Sequence, residues 1–162
     1  MNFHNKQWLH TATIVPDPAN PGAYMINPKG YGIKAFTLGS AGQVKPVQIQ
    51  NPDGINLTAY CIGGAGADYV TIINKAHGAG AADAAVTIAA PGPGVPAVEV
   101  MTLAGAQPGD ARGTTVTLGG ATITGDAAWD GKWSTLPVNP HSGITLTVKA
   151  TTAAIVKIQG GA

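Results

Sequence analysis

The chain has 162 residues, 44% of them hydrophobic and only 10% charged, with a formal net charge of +1 and one cysteine, Cys61. That length fits one domain with a core large enough to fold without disulfides or metal. The near-neutral balance excludes a polyanion-binding protein driven by bulk charge, because neutralising phosphates takes clustered cations.

Composition sets the class. The sequence holds 17 Thr, 13 Ile and 12 Val, and β-branched side chains suit a pleated, half-buried surface. With 23 Gly and 12 Pro, turns are frequent, but the hydrophobic share argues against disorder. The expectation is a mainly β protein. It is an antiparallel β-sandwich of about eight strands behind a short N-terminal strand, loop and helix.

In chain order, residues 8–15 predict a strand and 16–22, with Pro16, Pro18 and Pro21, a loop. Residues 30–41 predict a short helix with Ile33, Phe36 and Leu38 as its apolar residues and Gly42 as its stop. Val47-Gln48-Ile49-Gln50 alternates as a strand does. So do residues 55–61, 70–72, 86–88, 98–100, 116–118 and 144–148, and residues 154–158 close the chain as a strand. Turn chemistry separates them at residues 51–54, 63–64, 91–94, 105–109, 119–120 and 130–131. One wet face per sheet explains the alternation and favours antiparallel pairing. There is no repeat of fixed period.

Chemistry-bearing residues are sparse. His4, His10, His77 and His141 are scattered without ligand spacing, whereas a metal site needs three or four convergent donors. No metal and no cofactor is expected. Cys61 shares a face with Ile55, Leu57 and Ala59, so its expected role is that of a small hydrophobe. The Gly-rich stretches at 63–66 and 78–80 lack the Lys-Ser/Thr ending of a phosphate loop. Ser40, Ser134 and Ser142 stand in no nucleophile elbow. No nucleic-acid motif is present. No apolar run reaches the roughly 18 residues of a membrane span, and Met1 is followed by Asn-Phe-His-Asn-Lys-Gln rather than by an apolar leader.

The segment Trp129-Asp130-Gly131-Lys132-Trp133 is the candidate binding site. Flat indoles in a surface loop stack on sugar C–H faces, and Asp130 can accept sugar hydroxyls. The alternative is that both rings fill a gap beside a sheet, with Asp130-Gly131 serving first as a turn. Glutamate occurs once, at Glu99.

The residues also carry a family likeness. Tyr31-Gly32-Ile33-Lys34-Ala35-Phe36 followed by Gly42-Gln43-Val44-Lys45-Pro46-Val47 resembles the exit from the last barrel helix of family 79 glycoside hydrolases, the β-glucuronidase and heparanase-like enzymes. Leu57 to Tyr60, the Ile-Asn-Lys ending of residues 69–75, and His77-Gly78 resemble the start of that family's C-terminal β-sandwich. Residues 116–123, 130–133 and 144–158 resemble its second half. Asn2-Phe3-His4 is similar to its last barrel strand. The resemblance implies that residues 1–42 correspond to the last βα unit of a barrel and 43–162 to the appended sandwich.

What the likeness implies is a non-catalytic module. Retaining members use two glutamates on earlier barrel strands, about 5 Å apart across the scissile bond, and this chain has one glutamate, in its sandwich half. No catalytic residue carries over. The implied partners are a glycoside hydrolase barrel and, weakly, carbohydrate at Trp129, Asp130 and Trp133. An extracellular or periplasmic setting follows from the resemblance alone. The competing expectation is a self-assembling structural protein, an oligomer or filament subunit. In that reading Phe3, Trp8, Leu9, Ile14 and Val15 are apolar surface left bare, and low charge weakens repulsion.

Overall fold

The alternation of inward and outward side chains is realised in two antiparallel sheets, seen in a computed structural model that describes residues 12–89, 97–107, 109, 115–139 and 142–160. The expectations for residues 1–11, the 91–94 turn, His4, His10 and His141 lie outside these residues. A first hairpin pairs β1 (Ile14–Pro16) with β2 (Tyr24–Ile26), and helix α1 (Pro28–Gly39) follows. Then come β3 (Gln43–Lys45), β4 (Leu57–Gly63), β5 (Ala67–Asn74), β6 (Ala84–Ile88), β7 (Val98–Gly105) and β8 (Val116–Leu118). The chain ends with β9 (Ser134–Thr135), β10 (Val138–Asn139), β11 (Gly143–Val148) and β12 (Thr152–Gln159). The large sheet has the order β3-β4-β5-β12-β7-β8, with β9 also on β7, and the small sheet the order β10-β11-β6. The fold is mainly β, antiparallel and sandwich-like, with one short helix. The described residues form more strands than the sequence suggested, and β5, β6, β7, β11 and β12 each run longer than the stretch read from alternation.

Strand β12 shows how the layers are built. Ala154, Val156 and Ile158 point between the sheets, where they meet Ile72, Val98, Ile144 and Val148. Ile155 points the other way and joins Met101, Leu118, Tyr31 and Ala35 beneath α1. A strand covered on both faces reads as a continuous apolar run, which is why Ala153-Ala154-Ile155-Val156 breaks the alternation seen elsewhere.

The helix corrects an expectation. It begins at Pro28, whose missing N–H is harmless at the first helical position, and it ends two residues earlier than Ala41. Its buried residues are Gly30, Tyr31, Ala35 and Gly39, while Phe36 is 73% exposed and Ile33 39%. Positions four apart share one helix face, so Tyr31, Ala35 and Gly39 form the contact strip. Small residues there let the helix lie close to the sheet. A Cβ on Gly39 would sit 3.0 Å from Ile155 Cγ2 and 3.2 Å from Thr71 Oγ1.

Residues 47–50 are a second correction. They alternate but form no strand, and Val47 and Ile49 are 40% and 48% exposed. Pro46 ends β3, because proline cannot continue a ladder as a donor.

Asn74, at the end of β5, is fully buried. Its amide donates to the carbonyls of Ala82 and Val148 at 2.9 and 3.0 Å, and its Oδ1 accepts from the Ala76 amide at 3.1 Å. One side chain thus ties the large sheet, the loop after it and the end of β11. A buried amide is stable only when so satisfied.

Candidate functional site

The Trp129–Trp133 segment follows β8 on the helix side of the large sheet. The chain turns tightly at Gly119 and Gly120, both at positive φ, and a single bridge joins Leu118 to Ala121. The Ile123 amide then donates to the Tyr31 hydroxyl of α1 at 2.8 Å. The following turn is braced by Asp126, which accepts from the Thr124 hydroxyl and from the Ala128 amide. These bonds hold the Asp126 carboxyl below its ordinary pKa, the Thr124 hydroxyl being the larger cause.

Both indoles rest against the core beneath α1. Trp129 donates from Nε1 to the Leu118 carbonyl at 2.9 Å. Its ring lies on Gly131, where a Cβ would come within 2.4 Å of Trp129 Cζ2 and 2.2 Å of the Leu118 oxygen. The Lys34 ammonium of α1 sits 4.8 Å from the Trp129 ring centroid. Trp133 has Lys157 Nζ at 5.8 Å from its centroid, and Lys157 bonds Glu99 at 3.2 Å. Such cation–ring contacts are favourable because the ring face is negative. Both tryptophans are half-buried and Asp130 between them is exposed. The structure therefore brings Trp129, Asp130 and Trp133 into one segment. Lys34 lies over the Trp129 ring and Lys157, itself bonded to Glu99, over that of Trp133.

Glu99 faces a lysine rather than a second carboxylate. Among the described residues no three His, Cys, Asp or Glu side chains come together as a metal site would require. His77, within a turn, shares a hydrogen bond with the Lys75 carbonyl at 3.0 Å. Cys61 is half-buried, and its thiol is pushed above its ordinary pKa, first by burial and then by the Asp68 carboxylate. A thiol held protonated is a poor nucleophile.

An exposed apolar surface that the sequence reading anticipated only at Ile14 is the outward side of α1. It presents Phe36 and Ile33, and the hairpin at the helix start adds Ile14 and Tyr24, all exposed. Val15, expected to be bare, is buried. The signal was present in the strip Tyr31, Ala35, Gly39.

No family model and no curated protein matches the chain. Solved structures do. A 4-O-α-L-rhamnosyl-β-D-glucuronidase from Fusarium oxysporum 12S aligns over 83% of this chain and 30% of its own, with 20% identity and a TM-score of 0.62. A β-porphyranase of glycoside hydrolase family 86 from Bacteroides plebeius aligns over 94% and 23%, with 15% identity and a TM-score of 0.54. A family 30 endoxylanase from Clostridium papyrosolvens C71 aligns over 83% and 28%, with 13% identity and a TM-score of 0.52. The chain thus spans less than a third of the length of each. The likeness is one of fold, to the β-sandwich portions of glycoside hydrolases. It extends across several families without singling one out.

Proposed function

We propose that the chain is a non-catalytic β-sandwich module of glycoside hydrolase lineage, seated on a catalytic barrel through the outward face of α1. Residues 1–42 then correspond to the last βα unit of that barrel and 43–162 to the sandwich. Family 79 is the lineage the sequence motifs favour. The observation that carries this reading is Phe36, 73% exposed on a helix whose opposite side is fully packed. Exposed apolar patches of this kind mark interaction surfaces. No catalytic glutamate pair is assigned to the module, since its lone glutamate is paired with Lys157 and fold likeness alone transfers no chemistry.

The test is calorimetric titration of the chain with the isolated barrel portion of the Fusarium rhamnosyl-glucuronidase. Binding that Phe36→Asp abolishes supports the reading. An absence of heat, with native and variant chains indistinguishable, overturns it. Within the same reading, Trp129, Asp130 and Trp133 give weak affinity for carbohydrate. Titration with oligosaccharides at millimolar concentration should change tryptophan fluorescence, and Asp130→Ala should reduce that change. A flat titration removes the carbohydrate role and leaves barrel docking standing.

The same bare face favours a second reading, self-assembly through α1. Light scattering across a concentration series separates the two. A defined oligomer that persists when barrel is added supports self-assembly, whereas a monomer throughout excludes it.

A further inference from the structure

The sandwich is open along one side. Strand β6 pairs with β11 and has no partner on its other edge among the described residues. Beside that edge runs a cleft of about 440 Å³. Residues 46–53 line one side, Ala84–Ala89 the other, and Leu57, Ala59, Cys61, Val70 and Ile72 the floor. An unpaired edge and an apolar channel leading to the core are both costly to leave open to water.

The segment across the cleft has the pattern that would close it. Val47-Gln48-Ile49-Gln50 alternates apolar and polar, and both apolar side chains are substantially exposed. Strand β6 alternates in the same way. Ala84 is buried, and Val86 and Ile88 are half-buried against the inter-sheet core, while Ala85 and Thr87 face solvent. Centring Gln48 on Thr87 puts Val47 and Ile49 beside Val86 and Ile88 on the cleft side, and both polar residues outside. A strand shifted by one residue would invert every side chain, so this match is specific.

The segment is also mechanically suited to move as one piece. At one end Lys45 is held by its ladder position opposite Cys61 and by the Asp68 carboxylate at 2.8 Å. At the other, the Asn56 carbonyl accepts from the Lys75 amide at 2.8 Å. Between them, the tip is locked by Asn51. Its side chain donates to the Ile55 carbonyl at 2.6 Å and accepts from the Ile55 amide at 3.2 Å. Two fixed ends and a rigid tip confine the change to the backbone at Pro46 and near Ile55.

We propose that residues 46–50 are a strap that pairs with the free edge of β6, closing the sandwich over the apolar cleft and opening to expose it. The occupant of the cleft is the chain's own Val47 and Ile49. This device does not depend on how the module is used by a partner.

Cross-linking tests the register. Gln48→Cys and Thr87→Cys, in a Cys61→Ala background, place two thiols within disulfide reach only if the strap is paired. Mild oxidation of the folded protein should consume both thiols without dimerisation. Two thiols that stay free in the folded chain overturn the proposal. Amide exchange on the unaltered chain gives an independent reading. The β6 amides that point away from β11 should exchange at least about tenfold more slowly than open-edge amides. Exchange at the open-edge rate, or protection that appears only as concentration rises, assigns the edge to something other than the strap and overturns it. Finally, Cys61 on the cleft floor reports opening. Val47→Asp with Ile49→Asp should raise its labelling rate by Ellman's reagent about tenfold, and an unchanged rate argues against closure.

Discussion

The two faces of the large sheet solve the same problem by opposite means. Toward the small sheet, burial is carried by β-branched and branched aliphatic side chains, Ile72, Val98, Ile144, Val148, Val156 and Ile158, interleaved from two sheets. Toward the helix, burial is carried by three large aliphatic residues on the sheet, Met101, Leu118 and Ile155, and by the strip Tyr31, Ala35 and Gly39 on α1. The first face is finished: sheet covers sheet. The second is finished only on one side, because the helix covering it keeps Phe36 and Ile33 outside. The inter-sheet core is closed by a sheet on each side, whereas the helix layer leaves Phe36 73% and Ile33 39% exposed.

Mutations can break this contrast. The largest loss should come from Ile72→Ala, fully buried between the sheets, at about 4 kcal/mol in chemical denaturation. Met101→Ala on the helix side should cost less, about 2–3 kcal/mol, because α1 can settle into the space. Equal losses would mean that the helix is fixed as rigidly as the small sheet. Asn74→Ala should cost about 2–3 kcal/mol, since two carbonyls and one amide lose their partner in a buried place. Tyr31→Phe removes only the acceptor of the Ile123 amide and should cost about 1 kcal/mol. The smallest effect on stability is the most informative. Phe36→Ser should cost less than about 0.5 kcal/mol in chemical denaturation while lowering the heat of binding to the barrel portion in the calorimetric titration. A large destabilisation there would show that Phe36 serves this chain's own core.

Much of the sandwich could be read from the residues. Alternation located β11 and the heart of β4, β5, β6, β7 and β12, because those strands each have one or two apolar faces that period two exposes directly. Where the reading failed, a single physical cause can be named. The sequence reading named Ile33, Phe36 and Leu38 as the apolar residues of α1 and did not see which residues face the sheet. The strip against the sheet is Tyr31, Ala35 and Gly39, whose two small members allow close approach, while Ile33 and Phe36 lie outside. Residues 47–50 carry a strand pattern without a strand, because Pro46 removes them from β4 before they meet another edge. The short strands β2, β3, β9 and β10 hold too few residues to show a period. Of the candidate site, the grouping of Trp129, Asp130 and Trp133 was visible. The lysines that sit over the rings come from α1 and β12, far away in sequence, and no local pattern announces them. The Ile-Asn-Lys ending of β5 was noticed only as a likeness. Its physical content is the three-way brace made by Asn74.

Strand β12 has one more consequence, for how the molecule comes into being. It follows all the other described strands in sequence, yet it sits in the middle of the large sheet between β5 and β7. A ribosome delivers the neighbours first and the centrepiece last. Until residues 152–159 have left the exit tunnel, β5 and β7 have no strand to join them, and Ile72, Val98 and Met101 face no completed core. Closure of the large sheet therefore waits for residues 152–159 and is dominated by contacts distant in sequence, which makes it slow. A message truncated just before Thr152 yields a chain with most of its hydrophobic residues and no way to enclose them.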